Sequence, residues 1–129
     1  MRNSLAALLV LSACAEGAVA LGPAEITERA TTVGRQVRAA QTCNIDLPTD
    51  TLDRAARLEA AAIALKQRDG GSASRDTFLA SLLPPQQRAR DRATWCRAQG
   101  PDIERVRQWL IGADADAFIR NAETLALGR

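Results

Sequence analysis

The sequence predicts an all-α fold, a small bundle of four to six short helices with one long-range disulfide. Three observations support this fold class. Apolar residues recur every three or four positions, as they do along one face of an amphipathic helix. No stretch of useful length shows the apolar–polar alternation that is typical of a strand. Two cysteines, Cys43 and Cys96, remain when the N-terminal segment is set aside.

The first twenty residues have the layout of a secretory signal. Arg2 gives the positive start, and the apolar run 5–11 (LAALLVL) is too short to span a bilayer. Residues 18–20 (AVA) form an A-x-A cleavage site. We therefore expect residues 1–20 to be a signal peptide, residues 21–129 to be a single helical domain, and the protein to be periplasmic or secreted.

A second processing site competes with the first. Residues 11–14 (LSAC) resemble the lipobox of bacterial lipoproteins, in which the cysteine is acylated and becomes the mature N-terminus. On this alternative, residues 1–13 are the signal and Cys14 is the lipidation site that anchors the protein to a membrane. Either route leaves Cys43 and Cys96 as a pair in an oxidising compartment, which predicts a Cys43–Cys96 disulfide. A metal or redox pair is disfavoured, because there is no C-x-x-C motif and no histidine.

Two amphipathic helices open the domain. The first begins near Pro23 and carries an apolar stripe comprising Ile26, Ala30, Val33, Val37, Ala40 and Cys43. Pro48 indicates a connection before the second helix. The stripe of that helix comprises Leu52, Ala55, Leu58, Ala62 and Leu65. Residues 70–72 (GGS) predict a loop at its end.

Shorter helices complete the bundle. The third carries Phe78, Leu79, Leu82 and Leu83 and stops at the prolines 84–85. In the fourth, Ala89, Ala93 and Cys96 share a small-residue face that we expect to point inwards. Residues 99–102 (QGPD) predict a break and a new helix start, and Gly112 predicts a bend. The last two apolar stripes comprise Ile103, Val106 and Leu110, then Ala115, Phe118, Ala122 and Leu125.

A basic stretch lies in the second half of the chain. Residues 88–107 hold six arginines against three acidic residues, with Trp95 among them and Trp109 just beyond. Four arginines are candidates for a face that binds an anionic partner such as lipid headgroups or a polyanion: Arg88, Arg92, Arg97 and Arg105. The alternative is a solvated face with local ion pairs. The net formal charge of +2 is too small to indicate a nucleic-acid partner.

No catalytic residue, cofactor or metal is predicted. The chain has no histidine, so a serine, threonine or cysteine nucleophile lacks its usual base, and a Ser–Lys pair would depend on Lys66 alone. Asp102 with Glu104, and Asp114 with Asp116, stand two residues apart, a spacing that does not place side chains face to face on a helix. Capping and helix-dipole interactions explain these positions.

These observations favour an exported, non-catalytic cell-envelope protein that binds another protein or the membrane surface. One alternative is a periplasmic stress chaperone that exposes its apolar stripes well below neutral pH, since only carboxylates could sense acid. The small periplasmic acid-stress chaperones are similar in being helical with one long-range disulfide, but here a long helix precedes the first cysteine. The other alternative is a carboxylate-dependent hydrolase.

Overall fold

The computed structural model describes residues 21–128, and within that range every regular element is a helix. The four helices are α1 (Pro23–Thr42), α2 (Thr49–Ala80), α3 (Ala89–Leu110) and α4 (Ala113–Ala126). The all-α fold predicted from the sequence is confirmed. The signal segment and the candidate lipidation site, Cys14, lie outside the described residues.

The core lies between α1 and α2 and is closed by α4. α1 packs most extensively on α2, and α2 packs next most extensively on α4. The stripe predicted for α1 faces this core, and Ile26, Ala30 and Val33 are all but fully buried. Alanines fill many of the facing positions, among them Ala55, Ala61, Ala62, Ala115 and Ala122. The core is therefore thin, and its helices are closely packed.

A kink divides α2 where the sequence predicts a loop. Gly70 (φ −135°, ψ 17°) and Gly71 (φ +69°, ψ −160°) both leave the helical conformation. The values at Gly71 belong to a region that is essentially restricted to glycine. A Cβ on Gly70 would lie 2.7 Å from the Cβ of Ser74. The expected loop is thus a two-residue joint, and helical structure resumes directly after it.

The break predicted at residues 99–102 was wrong, because α3 runs through them without interruption. Pro101 is exposed, and the residue before it is Gly100, which has no Cβ to meet the proline ring. Part of the steric penalty on a helical residue before proline is thereby removed. The bend predicted at Gly112 is confirmed: this residue is extended (φ −83°, ψ 163°) and separates α3 from α4.

Cys43 and Cys96 lie at disulfide distance, with their sulfurs 2.09 Å apart and their Cα atoms 5.6 Å apart. The pair joins the end of α1 to α3. The inward face expected for Ala89 and Ala93 was wrong, since both are exposed. α3 runs antiparallel to α1, so the residues before Cys96 pass beyond the end of α1. The first fully buried residue of α3 is Ile103.

Candidate functional site

The start of α3 is an exposed basic helix, residues 88–97, which we call the basic segment. Its four arginines are all exposed, and with Asp91 they give it a net formal charge of +3. From Ala89 to Thr94 every residue is exposed. A helix that is polar on all sides gains little stability from packing. The basic segment therefore depends on what holds its far end.

A disulfide and a tryptophan hold the far end of the basic segment to the core. Cys96 is bonded to Cys43. Next to it, Trp95 packs against a small buried cluster comprising Ala39, Ala40 and Ile103. The sequence analysis predicted the disulfide, but it could not show that the helix before the disulfide is solvated on every side.

The four arginines predicted as an anion-binding face do not share one side of α3. Arg88 and Arg92 stand one turn apart on the same side. At about 100° per residue, Arg97 is rotated by roughly 140° from Arg92. Arg105 lies two turns beyond Arg97 and pairs with Asp102, its Nη1 2.9 Å from Oδ1. Within residues 21–128, Arg88 and Arg92 form no ion pair.

Arg90 belongs to the basic segment although the sequence analysis left it out of the predicted face. It projects on nearly the same side as Arg97, seven residues further along. Its Nε lies 3.7 Å from Asp91 Oδ1, and its side chain is 73% exposed. The segment thus presents arginines on two sides, Arg88 with Arg92 and Arg90 with Arg97. The 3.6-residue period of a helix would have predicted these two pairs from the sequence.

A groove of about 1040 Å³ lies between the start of α1 and the kink of α2. Leu65 and Phe78 supply its apolar surface, and Lys66 and Ser74 are among its polar residues. The kink brings Lys66 and Ser74 to one groove, which their sequence spacing alone does not predict. No hydrogen bond joins their side chains within the described range, so the groove holds no assembled Ser–Lys nucleophile.

Three of the four acidic residues that were considered for catalysis pair with nearby arginines: Asp102, Glu104 and Asp116. Asp116 Oδ2 accepts a hydrogen bond from Arg120 Nη2 at 2.5 Å, and Glu104 pairs with Arg107. The hydrogen bond from Arg107 holds the pKa of Glu104 below its ordinary value. A glycosidase-type general acid needs the opposite shift, a pKa raised towards neutrality.

Two further ion pairs join helices to one another. Arg38 of α1 contacts Glu59 of α2, and Arg57 of α2 contacts Glu123 of α4, each with a nitrogen–oxygen distance of 2.6 Å. The hydrogen bond from Arg57 holds the pKa of Glu123 below its ordinary value near 4.5. These pairs hold the helices in register at the edge of the core.

The described part of the chain shows neither a metal site nor a membrane-spanning helix. Over residues 21–128, no group of three or more His, Cys, Asp or Glu side chains is arranged to hold a metal ion. In the same range, no helix combines the length and the apolar character needed to cross a membrane. No family model, curated protein or solved structure matches the chain.

Proposed function

We propose that this chain is an exported cell-envelope protein that binds an acidic surface of another protein through its basic segment. The observation that carries the proposal is a helix with four exposed arginines that buries no side chain fully, yet is fixed to the core by a covalent bond. The residues before Trp95 are exposed and add little to the stability of the fold. A partner would bind the guanidinium groups that the segment holds in fixed positions.

The chemistry of the basic segment favours a protein partner over a lipid bilayer. A helix that lies in the membrane interface needs a broad apolar face beside its basic face. The exposed residues between the arginines are small or polar, and they include Ala89, Ala93 and Thr94. Guanidinium groups form paired hydrogen bonds with carboxylates. Arginines on two sides of one helix therefore suit a concave acidic surface.

Export is supported by the cysteine pair as well as by the layout of the first twenty residues. Disulfides persist in oxidising compartments and are rare in the reducing cytosol. A bridge with a sequence separation of 53 stabilises a fold by about 4 kcal/mol on the loop-entropy account. A thin, alanine-rich core gains more from such a bridge than a large core would.

The proposal is tested by photo-crosslinking in the envelope of the native host. A crosslinking residue in place of exposed Ala93 is expected to give an adduct with a protein. The same residue in place of exposed Asn121, on α4, serves as the control position and is not expected to give that adduct. The variant Arg88→Ala/Arg92→Ala should lower the adduct yield by roughly tenfold, as for two ion pairs of about 0.7 kcal/mol each.

A matched variant distinguishes the effect of the basic segment from the effect of the protein's net positive charge. Arg75→Ala/Arg120→Ala also removes two positive charges, but these arginines pair locally with Asp76 and Asp116 on other helices. It should leave the adduct unchanged. Equal losses in the two double variants would contradict the proposal, and so would an adduct that contains only lipid.

An acid-activated chaperone is the second candidate function, and the inter-helix ion pair Arg57–Glu123 favours it. The pKa of Glu123 is lowered in the folded state, so this pair stabilises the fold above the pKa of the unfolded carboxyl. That stability is lost as the pH falls below the ordinary range of a glutamate carboxyl and through the lower, folded pKa. Suppression of client aggregation only at such a pH would support this function. No suppression at any pH would remove it.

A further inference from the structure

A cleft of about 480 Å³ lies between α1 and α3, away from the basic segment. Its volume is within the range of small-molecule sites. Arg29 and Arg35 line it from α1, and Arg105 lines it from α3. Asp102 is the only acidic residue of the lining, so the cleft carries a net formal charge of +2.

Each arginine of the cleft keeps N–H groups that a ligand could use. The Cζ of Arg29 lies 4.6 Å from the ring centroid of Trp109, and a cation–π contact consumes no N–H donor. Arg35 donates from Nε to the carbonyl of Ser81 at 2.8 Å, which leaves its terminal nitrogens. Arg105 uses Nη1 for its ion pair. Three guanidinium groups can therefore donate to an anion.

The cleft also has an apolar floor. Val106 and Trp109 are half-buried and line the cleft from α3. A lining of this kind favours a ligand with an apolar body, which would gain from leaving water on the floor of the cleft. An inorganic anion would gain nothing there.

We propose that this cleft binds a small organic carboxylate that has a short apolar body. The carboxylate accepts hydrogen bonds from Arg35 and Arg105. The apolar body lies on Val106 and Trp109. This site is independent of the basic segment, so either proposal can fail without the other.

The probe is mandelate, which combines a carboxylate with a phenyl ring. In the variant Trp95→Phe, Trp109 is the one remaining tryptophan, and its emission reports on the cleft. Mandelate is expected to change this emission saturably. Neutral phenylethanediol and inorganic phosphate, at matched ionic strength, should give no saturable change.

Charge-removal variants locate the binding. Arg35→Gln and Arg105→Gln should each weaken mandelate binding by roughly tenfold. Arg120→Gln is the matched control for Arg105→Gln, because both arginines are well exposed and pair locally with an aspartate. It should leave the affinity unchanged. Far-UV circular dichroism checks that each variant keeps its helices.

Saturation-transfer NMR of mandelate on the unsubstituted, oxidised chain gives a second readout that does not depend on the Trp95→Phe background. Absence of both a saturable emission change and saturation transfer up to roughly 10 mM mandelate would overturn the proposal. An equal loss in Arg120→Gln would also overturn it, because the binding would then follow net charge. Equal affinity for phenylethanediol would show that the arginines do not bind the ligand.

Discussion

Leu82 and Leu83 are adjacent in sequence, but only Leu82 is buried in the core. Both Leu82 and Leu83 are apolar residues at the end of the third predicted helix. Leu82 is fully buried and Leu83 is 66% exposed. A Cβ on Gly34 would lie only 3.0 Å from Leu82 Cδ1, so this glycine of α1 makes room for the leucine. Sequence periodicity predicted that both leucines are apolar positions of a helix, but it could not tell which one is buried. The contact that buries Leu82 is made with Gly34, which is far away in the sequence.

We predict that Leu82→Ala lowers the free energy of unfolding by about 2–5 kcal/mol, because it leaves a cavity where the side chain meets α1. Leu83→Ala removes the same atoms from an exposed position and should change that free energy by less than about 0.5 kcal/mol. Urea unfolding of the oxidised variants measures both. Equal effects would contradict the burial that separates the two residues.

At the kink of α2, we predict that Gly71→Ala destabilises the fold by about 1–3 kcal/mol, since a side chain is strained at φ +69°, ψ −160°. Ser72→Ala, at the next and equally exposed position, should cost less than about 0.5 kcal/mol. Thermal unfolding followed by circular dichroism gives the comparison. A neutral Gly71→Ala would mean that the joint is not held in this conformation.

At the scale of helices, the sequence predicted which elements form better than where they turn or break. The stripes of α1 and α2 were readable because each runs along one face for several turns. Two expectations for α3 were wrong for different reasons. A glycine followed by a proline, such as Gly100 and Pro101, usually ends a helix. Here α3 continues, because the glycine has no Cβ to meet the ring of the exposed proline. Ala89 and Ala93 have the spacing of an inward face, but none of the helices within residues 21–128 reaches that far.

The dependence of α3 on its attachment gives a prediction for the disulfide. In the variant Cys43→Ser/Cys96→Ser, amides of residues 89–95 should lose their protection from hydrogen exchange, because that part of the helix has no fully buried residue. Amides in the core of α1 and α2, such as those near Leu58, should remain protected. Their protection should fall only as far as the substitutions lower the free energy of global unfolding. Reduction of the unsubstituted chain should reproduce the pattern. Unchanged protection in residues 89–95 would show that the segment is stable without the bond.

At the scale of the whole molecule, both candidate sites arise from contacts that no local pattern encodes. The cleft between α1 and α3 joins Arg29 and Arg35 to Arg105, and the antiparallel arrangement of the two helices brings them together. The sequence analysis singled out Arg105 for its charge and assigned it to the wrong neighbours. The basic segment was predicted from its composition, whereas its exposure follows from the point at which the disulfide joins α3 to α1.

The central claim is that this chain works outside the reducing interior of the cell, as a processed and disulfide-bonded protein. The most direct test is the intact mass of the chain isolated from its native host, with and without reductant. We predict a mature N-terminus at Leu21, or an acylated Cys14, and a mass that rises by the two thiol hydrogens of Cys43 and Cys96 on reduction. A chain that retains residues 1–20 and carries both cysteines as thiols would contradict the account.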